Sequence, residues 1–261
     1  MKLSLYQIDA FAEKPFEGNP AAVVPLKEWL SNETMQAIAE ENNLAETAFF
    51  IPSDNGFHIR WFTPKAEVKL CGHATLASAF VLFNCLGYRA ESINFDSLSG
   101  PLSVTREGNL FTLNFPSQNP EVCDVPEDLV KGLGERPLEC YRNEDFLAVF
   151  GSEKEVLNIN PNHNHLEQLD LRGVIITASS SEHDFVARFF APKYGIPEDP
   201  VTGSAYTQLM PYWSGKLGKS KLKAKQISPR GGKLICEIKG DRVLISGSAT
   251  KYLEGTIEIE I

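Results

Sequence analysis

The sequence predicts an α+β protein built from two similar halves, and three collinear internal matches carry that reading. "FHIRWFTP" (Phe57–Pro64) shares Phe, Arg, Phe and Pro with "FVARFFAP" (Phe185–Pro192), 128 positions on. "CGHA" (Cys71–Ala74) aligns with "TGSA" (Thr202–Ala205), 131 on. "GPLSVTREGNLFTLNF" (Gly100–Phe115) aligns with "GKLICEIKGDRVLISG" (Gly232–Gly247), 132 on. The order is kept, and the spacing is half of the 261-residue chain. That length suits two domains of about 130 residues each.

Each half reads as an opening strand, a helix, a strand ending in R-[WF]-F-x-P, an apolar segment and a closing hairpin. In the first half, positions 32–45 place Met35, Ile38, Ala39 and Asn42 at helical spacing, with Ser31 or Asn32 as the N-cap. Positions 74–86 are apolar on every side and stop at Gly87, which predicts a helix wrapped by protein. Its counterpart starts at Gly203-Ser204-Ala205 and meets Pro211, which is expected to kink or end it. The two hairpins alternate in polarity and turn at Glu-Gly-Asn and Lys-Gly-Asp. The division is expected between a first domain, 1–118, and a second, 119–261, with the halves joined near 116–125. Residues 251–261 ("KYLEGTIEIEI") exceed the second repeat and alternate, which predicts a further strand crossing back to the first half.

Composition removes several functions. A net charge of −9 repels a phosphate backbone, and the one basic stretch, "KLGKSKLKAK", is short. The N-terminus lacks a signal-type apolar run, and no 18-residue uncharged apolar segment occurs, so a cytoplasmic location is expected. The five cysteines are scattered without C-x-x-C spacing and read as reduced thiols. No P-loop, zinc or dinucleotide-binding signature is present; His163 and His165 lack a third ligand nearby, and Arg230 suits a tight turn. Chemistry without cofactor or metal is expected.

Gly72-His73 and Gly203-Ser204 are placed at the N-termini of two buried helices, where free N–H groups favour an anion and glycine allows close approach. Alone, each is ordinary capping by a small residue; recurrence at matched positions favours an anion site. If the halves face each other, both helix ends serve one cleft. The halves differ in their acids. Glu46 falls near Val174 through the repeat offset, and Asp199 near Val68, so each half holds one acid its twin lacks. Flanked by Ala45, Ala48, Phe49 and Phe50, the Glu46 carboxyl is partly stripped of water, as a proton-transferring acid requires, although a capping or surface glutamate reads equally well from this alone.

"FEGNPAAVV" (Phe16–Val24), "NLAETAFF" (Asn43–Phe50), "LCGHATLA" (Leu70–Ala77), "EDPVTGSA" (Glu198–Ala205) and "PYWSGKLGK" (Pro211–Lys219), in this order, resemble the PhzF-like (phenazine biosynthesis-like) isomerase family over essentially the whole chain. The resemblance implies the fold of diaminopimelate epimerase and proline racemase: two halves, each a β-barrel-like sheet curled around a central helix, with the active site between them. It implies Glu46 as acid/base, His73 and Asp199 lining the site, and Gly72, Gly203 and Ser204 holding substrate, with Asn19 in the "GNP" element. "CGH" also resembles a motif of cofactor-free racemases, which use two thiols. The partner of Cys71 here is Thr202, so a single-carboxyl isomerase acting on a small carboxylate-bearing metabolite is expected. A two-base racemase using Cys71 and a non-catalytic small-molecule binder remain the alternatives. Neither nucleic acid nor membrane is an expected partner, and a homodimer is left open.

Overall fold

The structure, a computed structural model, describes residues 1–260. It contains two compact units. One comprises Met1–Asn114 together with the chain from Ser246 onward; the other is Phe115–Ile245. Where the sequence suggested a division at 118/119, the chain passes from one unit to the next at 114/115 and again at 245/246, both times inside a strand.

The first unit runs β1 (Lys2–Ala10), β2 (Asn19–Pro25), α1 (Asn32–Asn42), β3 (Glu46–Ser53), β4 (Gly56–Phe62), β5 (Glu67–Val68), α2 (Gly72–Phe80), β6 (Ser92–Ser97), β7 (Gly100–Glu107) and β8 (Leu110–Pro116). The chain continues through β9 (Glu121–Val122), α3 (Glu127–Leu133), β10 (Glu139–Arg142), β11 (Phe146–Val149), α4 (Glu153–Asn158), α5 (His163–Leu166), β12 (Val174–Ser179), β13 (Phe185–Ala191) and β14 (Ile196–Asp199). Then come α6 (Tyr206–Leu217), β15 (Lys221–Gln226), β16 (Gly232–Lys239), β17 (Arg242–Gly247) and β18 (Ala249–Glu258).

The internal repeat is visible in the strand pairing. In the first unit β1–β2 is antiparallel, β2–β3 parallel, β3–β4 and β4–β5 antiparallel, β4–β6 parallel, and β6–β7 and β7–β8 antiparallel. The second repeats this with β10–β11 antiparallel, β11–β12 parallel, β12–β13 and β13–β14 antiparallel, β13–β15 parallel and β15–β16 antiparallel. The strand after each closing hairpin is exchanged. β9 pairs with β10, and β18, the strand expected over 251–261, pairs with β1 across nine positions.

Each sheet curls around one helix. Residues 73–79 of α2 are all buried, and α2 packs against β1, β2, β3, β7 and β18. Its alanines let the strands approach closely, and its two hydroxyls bond back within the helix, Thr75 to the Cys71 carbonyl (2.6 Å) and Ser78 to that of Ala74 (2.8 Å). The helix starts at Gly72, two residues earlier than expected, and finishes in a π-turn over Val81–Cys85 before Gly87 at φ +70°. In α6, Pro211 does not end the helix. Its missing N–H frees the Thr207 carbonyl, which accepts instead from the backbone N–H of Gln118 (3.0 Å). Trp213 then stacks on Phe185 at 5.4 Å and donates to Thr177 Oγ1. Ser31 caps α1 as expected, but α1 ends at Asn42, short of Ala45, because Asn43 adopts a left-handed conformation (φ +48°).

One ion pair recurs in both units. Arg60 on β4 grips Glu67 on β5 through two bonds of 2.7 Å, and Arg188 on β13 grips Glu198 on β14 through two of 2.8 Å. Arg188 also donates to the carbonyls of Val156 and Ile159 at the end of α4. Both Arg188 and Glu198 are largely shielded from water, so removing one strands the other. Arg188→Ala is expected to lower the unfolding free energy by about 3–5 kcal/mol in urea titrations.

Candidate active site

In the first unit five residues singled out in the sequence meet. Asn19 opens β2 and Glu46 opens β3, two parallel neighbours whose register sets Ala21 opposite Glu46, and Cys71, Gly72 and His73 form the start of α2. The His73 ring lies between them. Its Nε2 is 3.1 Å from Glu46 Oε2, and its Nδ1 is 3.2 Å from Asn19 Nδ2 and 3.5 Å from Cys71 Sγ. Asn19 is wholly buried, and Glu46, Cys71 and His73 retain less than a tenth of their surface.

Burial works against charge on His73, and the neighbouring Cys71 sulfur and Glu46 carboxylate outweigh it, so His73 titrates well above its ordinary range. Burial first, then the Glu46 carboxylate, push the Cys71 thiol up to about 11 against the pull of His73. His73 is therefore the member of this cluster that holds its proton most firmly above its usual range, and Cys71 stays a thiol. With Nδ1 protonated, the Asn19 amide is required in the orientation that presents Oδ1 to the ring. Among the described residues, Glu46, Cys71 and His73 are also the one trio with ligand atoms within 4.8 Å of one another. Cys71 faces Nδ1 and Glu46 faces Nε2, so the two stand at opposite nitrogens of the ring.

In the second unit Asp199 ends β14, and its carboxylate accepts from Thr202 Oγ1 (2.5 Å). Gln226 fixes this turn, accepting from the Thr202 N–H and donating to the Asp199 carbonyl. Gly203-Ser204-Ala205 form a 3-10 turn entering α6, and Ser204 stands at the repeat position of His73. Its hydroxyl accepts from Arg172 Nη2 (3.1 Å). Arg172 in turn holds the fully buried Asp145 by two bonds and lies 3.3 Å from Glu144, while Gln208 brackets the backbone of Asp145. Because Arg172 donates to Ser204, the Ser204 O–H is left to donate elsewhere.

The structure thus brings Asn19, Glu46, Cys71, Gly72 and His73 together in one unit, and Asp199, Thr202, Gly203 and Ser204 in the other. Arg172 and Asp145 escaped the sequence reading. Arg172 belongs to no motif, and its repeat position in the first half is an apolar leucine, Leu44, so only the buried acid opposite reveals it. Glu198 was legible as half of the "ED" pair, and its offset of 131 from Glu67 was the available signal for the arginine clamp. His165 bonds Asp128 (3.0 Å) and ties α5 to α3.

The family model described as phenazine biosynthesis-like protein matches residues 8–255. An uncharacterized isomerase of Pseudomonas aeruginosa is 49% identical, covering 99% of this chain and all of that one. The crystal structure of a PhzF-family phenazine biosynthesis protein from Enterococcus faecalis superposes with a TM-score of 0.97 at 46% identity, over 99% of this chain and 100% of that one. A hydroxyproline epimerase from Agrobacterium vitis, at 9% identity and TM-score 0.63 over 98% and 92% of the two chains, shares the fold.

His73 carries a pH dependence with a definite sign. Its folded value lies above the unfolded one, so its contribution to stability is complete below the unfolded value of about 6.5 and is lost as pH rises through the folded value. The unfolding free energy should fall across that alkaline window in urea titrations, and His73→Gln should flatten the fall.

Proposed function

We propose, for a chain that belongs to the phenazine biosynthesis-like family and is an isomerase, that Glu46 is the single acid/base moving a proton between two positions of a small carboxylate substrate. The observation that carries this is the buried Glu46–His73 pair at 3.1 Å, anchored by Asn19.

The steps follow from the charges. His73, as imidazolium, faces the Glu46 carboxyl at 3.1 Å and fixes its place in the site. Glu46 removes a proton from a carbon beside a carbonyl or conjugated system, and the electron pair spreads into that system. The neutral Glu46 acid then returns the proton to a second carbon on the same face, which restores the carboxylate. No electron is gained or lost, and both transfers use one side chain. Gly72 and Gly203 contribute backbone N–H groups to an anionic substrate, and Ser204, oriented by Arg172, contributes its hydroxyl. Asn19 sets the ring, and Asp199, tied to Thr202, assists binding or protonation. A thiol held up to about 11, with a threonine at the matching position, suits a packing role for Cys71 better than that of a racemase base.

Incubation in heavy water with pools of unsaturated and amino carboxylates, followed by mass spectrometry, tests this reading. Wild type should yield an isomer or a compound with one deuterium. Glu46→Gln should slow that signal about 10²–10⁴-fold while the protein stays folded. Cys71→Ser should keep appreciable turnover. The reverse pattern would overturn the assignment, and silence of wild type across all pools would favour a binding protein.

A further inference from the structure

Two thiols outside the candidate site stand face to face in the second unit. The register of β9 on β10 sets Glu121 opposite Arg142 and Val122 opposite Tyr141, so the next pair is Cys123 and Cys140. The backbone agrees, with the Cys123 N–H donating to the Cys140 carbonyl at 3.0 Å. The two sulfurs are 3.5 Å apart, and Cys123 donates its S–H to Cys140. Antiparallel neighbours in direct register have the Cα separation a disulfide needs, and the sulfurs must close to about 2.05 Å.

The position of the pair is informative. Each unit's sheet begins with an exchanged strand. β18 is held on β1 by nine paired positions, whereas β9 is held on β10 by two. At the matching place in the first unit Tyr6 faces Glu254. The thiols are therefore particular to the unit whose exchanged strand is the weaker, and they lie at its end. Cys140 is buried, and burial with the Cys123 S–H pushes its thiol up to about 12, whereas Cys123 keeps part of its surface.

We propose that Cys123 and Cys140 are a reversible disulfide site, oxidised by a hydroperoxide, that fastens β9 to β10. Cys123, the accessible sulfur, attacks the O–O bond, becomes the sulfenic acid and releases one water. The Cys140 sulfur then displaces that oxygen as a second water and forms the S–S bond. Two thiol hydrogens and two electrons leave the protein, and hydrogen peroxide is reduced to two waters. A thiol reductant reverses the change.

The test uses the full chain treated with hydrogen peroxide. Tryptic mapping should find the peptide containing Cys123 linked to that containing Cys140, and dithiothreitol should release it. The oxidised protein should melt about 5 °C above the reduced form, since the bond closes a 17-residue separation. Cys123→Ser and Cys140→Ser, shown folded by circular dichroism, should both lose the link, and Cys140→Ser should instead trap a dimedone-reactive sulfenic acid on Cys123. Overoxidation of Cys123 with Cys140 unlinked, linkage through Cys71, Cys85 or Cys236, or a link without the rise in melting temperature would each overturn the proposal.

Discussion

Both units depend on one constraint, the forked arginine–glutamate pair that fastens a two- to four-residue strand to the end of the R-[WF]-F-x-P strand. Such short strands have little hydrogen-bonded length of their own. A guanidinium fork supplies two directional bonds and so fixes both position and orientation. Each clamped strand leads into the turn that carries candidate site residues. Cys71 comes four residues after Glu67, while Asp199 comes directly after Glu198 and Thr202 four residues after it. Displacement of the clamp would move the entry to the central helix and the residues borne on it.

On this common frame the two units carry different polar groups. His73 and Ser204 occupy the same place, as do Cys71 and Thr202, and Glu46 and Val174 each open the equivalent strand. The first unit surrounds its helix start with titratable side chains, Glu46, Cys71 and His73. The second surrounds its own with an ion network whose charges are already paired, Arg172 with Asp145 and Glu144. A serine hydroxyl oriented by such an arginine does not titrate near neutrality. The two repeats thus keep one backbone plan and differ in the polar groups they set at the start of the central helix.

Topology was legible in the sequence because a repeat projects every pairing of one half onto the other. Glu46 and His73 were legible because an acid at the head of an apolar strand and a histidine at a helix start break the local pattern. Two of the misses, Pro211 and Arg172, share a cause: partners remote in sequence. Pro211 reads as a helix breaker until Gln118 is seen to satisfy the Thr207 carbonyl. Arg172 reads as a loop residue until Asp145 is seen beneath it. Asn43 is a different case, since asparagine is compatible both with a helix interior and with the left-handed turn it adopts. The unit boundaries leave no compositional trace because they fall within strands that continue unbroken.

The strand exchange also bears on how the chain comes into being. A ribosome releases the first repeat early, yet the strand that flanks β1 is β18, encoded at 249–258. Until those residues emerge, β1 carries an open row of backbone donors and acceptors on one side, the kind of edge that pairs promiscuously. The second unit has no such wait. Its own exchanged strand, β9, leaves the ribosome before β10, and the unit holds every strand it needs once Ile245 has appeared. The half that is synthesised first is therefore the half that is completed last.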